Sequence, residues 1–218
     1  MQKDTKEAQY NTLFEYPETK LGFMTNQVWQ DDPKRVVFVL SRYKFVAKML
    51  AGKARVLEVG CADAFGSHIV ADSVEQLTVS DFDPVFIEKV QQNARYDWQK
   101  NAQVHDILSG PTVTKHDAVY CLDVFEHILP EYEHGILKHL NQSTHDNGVA
   151  IIGIPSLESQ HYASPQSIEG HVNCKSGNDF KTLLEQHFKH VFLFSMNDEV
   201  VHTGFYPMAH YLFALCVK

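Results

Sequence analysis

The stretch that most constrains this chain is Arg55-Val56-Leu57-Glu58-Val59-Gly60-Cys61-Ala62-Asp63-Ala64-Phe65-Gly66-Ser67. Val56, Leu57 and Val59 supply the β-branched and apolar run of a central parallel strand. Glu58 interrupts that run, and a carboxylate near the carboxyl end of a buried strand needs a polar purpose. Gly60, Ala62, Ala64 and Gly66 then keep bulk out of the turn into the next helix. In an open α/β sheet, ligands sit outside the carboxyl ends of the strands, where the first strand turns into its helix. A dinucleotide there requires G-x-G-x-x-G, with the pyrophosphate on the helix amino terminus. The corresponding positions here are Gly60, Ala62 and Phe65, and Asp63 among them would repel a pyrophosphate.

Strands and helices alternate on both sides of this stretch. Asp32-Pro33 starts a helix to about Leu50, with Val36, Val39, Leu40, Tyr43, Val46, Ala47 and Leu50 as its apolar stripe. A short helix follows over Ser67–Ala71, then a strand from Gln76 to Ser80 that ends at Asp81. Asp83-Pro84 caps the next helix. Ala102–His105 reads as a short strand leading to Asp106 and Ile107, and Asp117–Leu122 as a buried strand leading to Asp123, Glu126 and His127. Pro130–Asn141 is expected to be helical, Asn147-Gly148 a turn, Val149–Ile154 a strand, Asn178–Glu185 a helix, and Val191–Ser195 and His210–Val217 the last strands. Residues 1–30 lack periodicity. Tyr10, Phe14, Tyr16, Phe23 and Trp29 suggest an arm docked on the domain. Residues 156–175 are polar and aperiodic, which marks a long functional loop.

A length of 218 residues, 44% hydrophobic and 21% charged, suits one soluble globular domain. A net charge of −8 argues against a nucleic-acid partner, because phosphate binding needs a basic face. No apolar run is long enough for a membrane span, and residues 1–10 lack a signal-peptide core, so a cytoplasmic location is expected. The cysteines, Cys61, Cys121, Cys174 and Cys216, are far apart and form no C-x-x-C motif. They read as reduced thiols, not as a zinc or redox site.

In its order of motifs the chain resembles the class I S-adenosylmethionine (SAM)-dependent methyltransferases. Glu58, Gly60, Ala62 and Ala64 match the acid-x-Gly-x-Gly-x-Gly of the first motif, with two family glycines replaced by alanine. Asp81 lies about twenty residues beyond Gly60, the spacing of a ribose-binding acid. Asp81-Phe82-Asp83-Pro84 aligns that acid with the family's acid-x-x-Pro. The segment Asp117–Ile128 is similar to the fourth motif, a buried strand followed by Glu-His. The resemblance implies a seven-stranded, mostly parallel α/β sheet with helices on both faces and an antiparallel last strand beside the sixth. It implies SAM as cofactor. Glu58, Gly60, Cys61, Ala62, Asp81, Phe82, Asp106, Ile107, Leu122 and Asp123 would line its site, and Arg42 would reach its carboxylate. The expected organisation is a single domain over 1–218: an arm and lid helix to residue 50, a SAM-binding core over 51–154, and a substrate loop and C-terminal hairpin over 155–218.

The acceptor expected from the polar loop is a small carbohydrate, a sugar or sugar nucleotide methylated on oxygen. Deprotonating such a hydroxyl calls for a group titrating near neutrality, and histidine is the usual choice. His171 in the loop after the fifth strand ranks first, His202 second and His127 third. Asp123, Glu126 and His127 lie at i, i+3 and i+4, so a helix would bring them to one face as metal ligands. The more common reading is a packing pair, and no metal is expected. Three other readings stay open: a quinone-pathway-like O-methyltransferase, a NAD-binding reductase and a non-catalytic SAM-binding protein. The sequence leaves the oligomeric state undecided.

Overall fold

The structure is a computed structural model that describes Tyr10, Glu15 and residues 18–218. The aromatic arm residues Phe14 and Tyr16 lie outside the described residues. The helices are α1 (Phe23–Asp31), α2 (Pro33–Leu50), α3 (Ser67–Ala71), α4 (Pro84–Gln92), α5 (Glu133–Ser143), α6 (Pro165–Gly170) and α7 (Gly177–Leu184). The strands are β1 (Arg55–Val59), β2 (Gln76–Asp81), β3 (Ala102–Val104), β4 (His116–Leu122), β5 (Thr144–Pro155), β6 (His190–Asn197), β7 (Val200–His202) and β8 (Tyr211–Val217). They form one sheet in the order β3-β2-β1-β4-β5-β8-β6-β7. The first five are mutually parallel, and β8 runs antiparallel between β5 and β6.

Strand order reverses between β1 and β4, so the carboxyl ends of these two strands border the crevice where ligands of such sheets bind. Period-two alternation assigns the faces. Leu57 and Val59 of β1 pack with α5 and α7 through Ile136, Leu140, Phe180 and Leu184. Val56 points the other way, against Val46 and Leu50 of α2 and Ile87 and Val90 of α4. Each fully buried side chain of this size contributes about 1.5–3 kcal/mol. The Asp32 and Asp83 side chains accept from Lys34 N and Val85 N, so both expected caps form at 3.2 and 2.9 Å.

Four expectations need correction. The sheet has eight strands, not seven, because Val200–His202 pairs with β6 as a short edge strand. Asn147-Gly148 is not a free turn. Asn147 has φ +63° inside β5, where the register against β4 slips between His116↔Thr144 and Ala118↔Val149. Turn chemistry is used there to make a bulge within a strand. Residues 156–175 are not one aperiodic loop, since they hold a 3-10 turn over Glu158–Tyr162 and α6, and Ser156 bridges to Lys175. Residues 23–30, read as irregular, belong to α1, which buries none of its own residues.

Candidate active site

The β1 turn departs from ordinary backbone geometry at three positions: Gly60 at φ +76°, Ala62 at +45° and Ala64 at +54°. The two alanines keep the left-handed conformation that a glycine takes freely, at about 1–2 kcal/mol each. At Gly60 even that substitution is closed, because a Cβ would lie 2.3 Å from Val124 Cγ2. Val124 follows β4, so this contact joins the carboxyl ends of the two switch-point strands. Gly60 N and Cys61 N donate to Ser80 O at 2.8 and 3.0 Å, which seats the turn on β2.

Asp81 ends β2 and is buried. Its Oδ2 accepts from Ala62 N at 2.9 Å and its Oδ1 from Asp83 N at 3.0 Å. One carboxylate thus fixes both turns, and each oxygen keeps capacity for another donor. Phe82 beside it is exposed. After β3, Asp106 Oδ1 accepts from Leu108 N at 2.9 Å, while Ile107 is buried in the core on the α5 side. The structure therefore sets Asp106 and Phe82 at the surface and turns Ile107 inward.

Glu58 lies beneath the turn, on the α2 face. Its Oε1 accepts from Tyr43 Oη at 3.0 Å and its Oε2 from Tyr120 Oη at 2.7 Å. Burial lifts its pKa to about 7. Tyr43 also covers Gly66, where a Cβ would be 2.3 Å from its ring. Glu58 thereby ties α2 to the sheet. Asp63, which the sequence marked only as hostile to pyrophosphate, caps α1. Its Oδ2 accepts from Thr25 N at 2.7 Å and its Oδ1 from Thr25 Oγ1 at 3.0 Å. Gly22 makes this approach possible, for a Cβ there would be 2.1 Å from Asp63 Cβ. The sequence signal available was a lone acid in a turn of small residues.

At the end of β4, Leu122 is buried and Asp123 adopts φ +56°. Arg42 donates to both Asp123 oxygens through Nη1, at 2.7 and 2.6 Å, and its guanidinium lies 3.8 Å above the Tyr211 ring. Tyr211 has that room because Gly153 lacks a side chain, a Cβ there standing 2.6 Å from Tyr211 Oη. Arg42 Nε and Tyr211 Oη are buried without a partner.

Glu126 and His127 occupy a single 3-10 turn that begins after Asp123, not the longer helix that would carry all three on one face. Glu126 is buried and both carboxyl oxygens lack a partner. Burial pushes its pKa well up, Asp123 adds to the shift, and Arg42 opposes it. Glu126 O accepts from Val172 N and Asn173 N at 2.9 and 3.0 Å. That contact folds the segment after α6 over the β4 end and sets the His171 ring 5.2 Å from the His127 ring. His127 Nδ1 lies 2.8 Å from Gly170 O, and His171 Nδ1 lies 2.8 Å from Gln160 Oε1. Burial, then His127, hold the His171 pKa below its ordinary value. His202 is not part of this group: Nε2 faces Asn197 Oδ1 at 2.9 Å and Nδ1 accepts from Gly204 N at 2.9 Å. Both its nitrogens serve the β6–β7 hairpin.

A cavity of about 590 Å³ lies on the α1, α3 and α4 side, lined by Phe23, Ala64, Phe65, His68, Tyr96 and Trp98 among others. It touches the β1 turn but not Asp81, Asp106 or Asp123. No helix among the described residues is long and apolar enough to cross a membrane. The four cysteines are free, and only Cys174 is not fully buried.

Residues 57–150 match a family model described as a methyltransferase domain. Among solved structures, the N-methyltransferase NodS from Bradyrhizobium japonicum WM9, in complex with S-adenosyl-L-homocysteine, is similar at TM-score 0.62 and 16% identity, over 87% of this chain and 90% of that one. A SAM-dependent methyltransferase from Clostridium acetobutylicum ATCC 824 is similar at TM-score 0.70 and 12% identity, over 89% and 97%. A chain of the complex between the Haloferax volcanii Trm112 methyltransferase activator and the putative methyltransferase is similar at TM-score 0.67 and 11% identity, over 91% and 99%. At these identities the structural likeness is one of fold. No curated protein matches the chain in sequence.

Proposed function

We propose that this chain is a class I SAM-dependent methyltransferase and that it methylates an oxygen of a small polar acceptor bound at the carboxyl end of β4. The observation that carries the acceptor side is the backbone pairing of Val172 and Asn173 to Glu126 O, which brings His171 beside His127. SAM supplies an electrophilic methyl on its sulfonium. The chain's residues suit that cofactor. Asp81 is held by two backbone donors with lone pairs to spare for ribose hydroxyls. Gly60, Cys61 and Ala62 form the unobstructed turn beside it, with Glu58 as its buried support. Asp106, Ile107 and Phe82 belong to the adenine end, with Ile107 acting as backbone and core support. Arg42 and Asp123 present a guanidinium and a carboxylate side by side with Leu122, the two charge signs that complement an amino-acid zwitterion.

His127 and His171 are the acceptor-activating pair in this reading, and His202 is left to its hairpin. Holding an acceptor hydroxyl against the methyl in line supplies much of the rate in such a displacement. Gln160 and the two imidazoles give this end of β4 polar groups of the kind that a sugar or sugar nucleotide takes, which supports an O-methylated carbohydrate. The test is calorimetry with SAM and, separately, NADH, followed by turnover on a panel of sugars and sugar nucleotides with the methylated atom located by NMR. SAM binding without NADH binding and an O-methyl product are expected. Absence of SAM binding sinks the whole reading, and a product methylated on nitrogen sinks the acceptor class.

A further inference from the structure

We propose that Glu126, His127 and His171 form a binding site for a divalent transition-metal ion. One donor atom from each of these three residues lies within 4.8 Å of the others. Ligand atoms bound at about 2.0–2.2 Å from one ion stand about 3–4 Å apart, so small side-chain rotations close the site. The second, independent observation is the carboxyl of Glu126. It is buried and both of its oxygens lack a partner, while the backbone carbonyl of the same residue accepts from Val172 N and Asn173 N. A carboxyl in such a place either keeps its proton or pairs with a cation, and the two imidazoles beside it supply the further donors that a cation takes. Arg42 does not supply it by contact, since its hydrogen bonds go to Asp123.

The imidazoles are arranged as metal ligands are. Gly170 O and Gln160 Oε1 only accept, so Nδ1 of His127 and of His171 carries the proton of the neutral ring. Nε2 of each ring is then left with its lone pair. A carbonyl on the far nitrogen is the usual device for orienting a metal-bound histidine and raising its basicity. One carboxylate with two imidazoles favours manganese, iron, cobalt or zinc over magnesium or calcium, which prefer all-oxygen shells. Three protein ligands leave coordination positions open, and a hydroxyl bound there loses its proton more readily. The ion's service to the acceptor rests on the proposed methyl transfer, but its binding does not. The grouping differs from the one the sequence suggested, for Asp123 is taken by Arg42 and His171 replaces it from 44 positions beyond His127.

The test uses the full chain, stripped with a chelator and titrated with MnCl2 by electron paramagnetic resonance and with CoCl2 by visible absorption. One ion per chain is expected. His171→Ala and Glu126→Gln should each weaken binding at least tenfold. Gln160→Leu should weaken it less, since it frees the ring without removing a ligand. His127→Ala, at an exposed position, repeats the measurement should Glu126→Gln not fold. SAM affinity measured on the same variants should stay at the parental value, which separates failure of the metal site from failure of the methyltransferase reading. The proposal is overturned if neither ion binds. It is equally overturned if binding survives His171→Ala and disappears in His187→Ala, for then the His134–His187 pair is the ligand.

Discussion

The two ends of the crevice differ in how their polar groups are settled. On the β1–β2 side, Asp81, Glu58 and Asp63 all have their partners inside the chain: backbone amides, two tyrosines and the first turn of α1. On the β4 side, Arg42 Nε, Tyr211 Oη and both Glu126 oxygens are buried without partners, and two imidazoles converge on the gap. Buried polar atoms left open are costly, and they are retained where a ligand completes them. In the proposed reading the first side is the frame for a cofactor, its three acids already partnered, and the second is an open shell around an acceptor. Substitutions should therefore act differently on the two sides, with binding and stability responding on the first and turnover on the second.

The largest contrast should come from His171→Ala. Loss of an acceptor-activating group should lower turnover by roughly 10²–10⁴ while SAM affinity barely moves. Near-parental turnover with the true acceptor would erase the distinction between the two sides. Next in size is a pH effect on the frame. Glu58 titrates at about 7 in the folded chain, against an ordinary value near 4.5, so the native state holds the proton more tightly than the unfolded chain. Its contribution is fully present below about pH 4.5 and is lost as pH rises through 7, by about 3 kcal/mol in all. Denaturant titrations from pH 5 to 8 should show stability falling through this range, and Glu58→Gln should flatten the fall. A Glu58→Gln profile as steep as the parent's would place the loss elsewhere, at Glu126 first.

Asp81→Ala should weaken SAM binding by roughly 1.5–3 kcal/mol, the worth of charge-assisted hydrogen bonds, with turnover at saturating SAM much less affected. Parental SAM affinity in calorimetry would remove Asp81 from the cofactor site. The smallest effect concerns backbone strain. Ala62→Gly should raise thermal stability by about 1 kcal/mol or less, because glycine occupies φ +45° without the steric penalty. A lower melting temperature would mean that the alanine methyl contributes packing that outweighs the strain.

Much of this was legible in the chain itself. The strand ends, the caps at Asp32 and Asp83, and Asp81 at its distance from Gly60 all rest on signals spread over a few residues or one strand–helix unit. The methyltransferase order of motifs followed from them. The role of Asp63 was missed because a helix cap supplied from 38 positions away leaves no local trace. The β5 bulge was missed because Asn-Gly favours positive φ in a turn and in a bulge alike, and only the neighbouring strand decides between them.

The sequence by itself determined the alternation of strands and helices, the small-residue turn after β1 and the row of acids at the strand ends. Periodicity, capping and φ preference are local properties of the chain, readable wherever the chain goes. Only the tertiary structure decided which side chains meet. It gave Arg42 to Asp123, buried Glu126 without a partner, enclosed His202 in its hairpin and set His171 beside His127. Those outcomes depend on strand order and on where the segment after β5 crosses the end of β4, and both are fixed by packing between residues far apart in sequence.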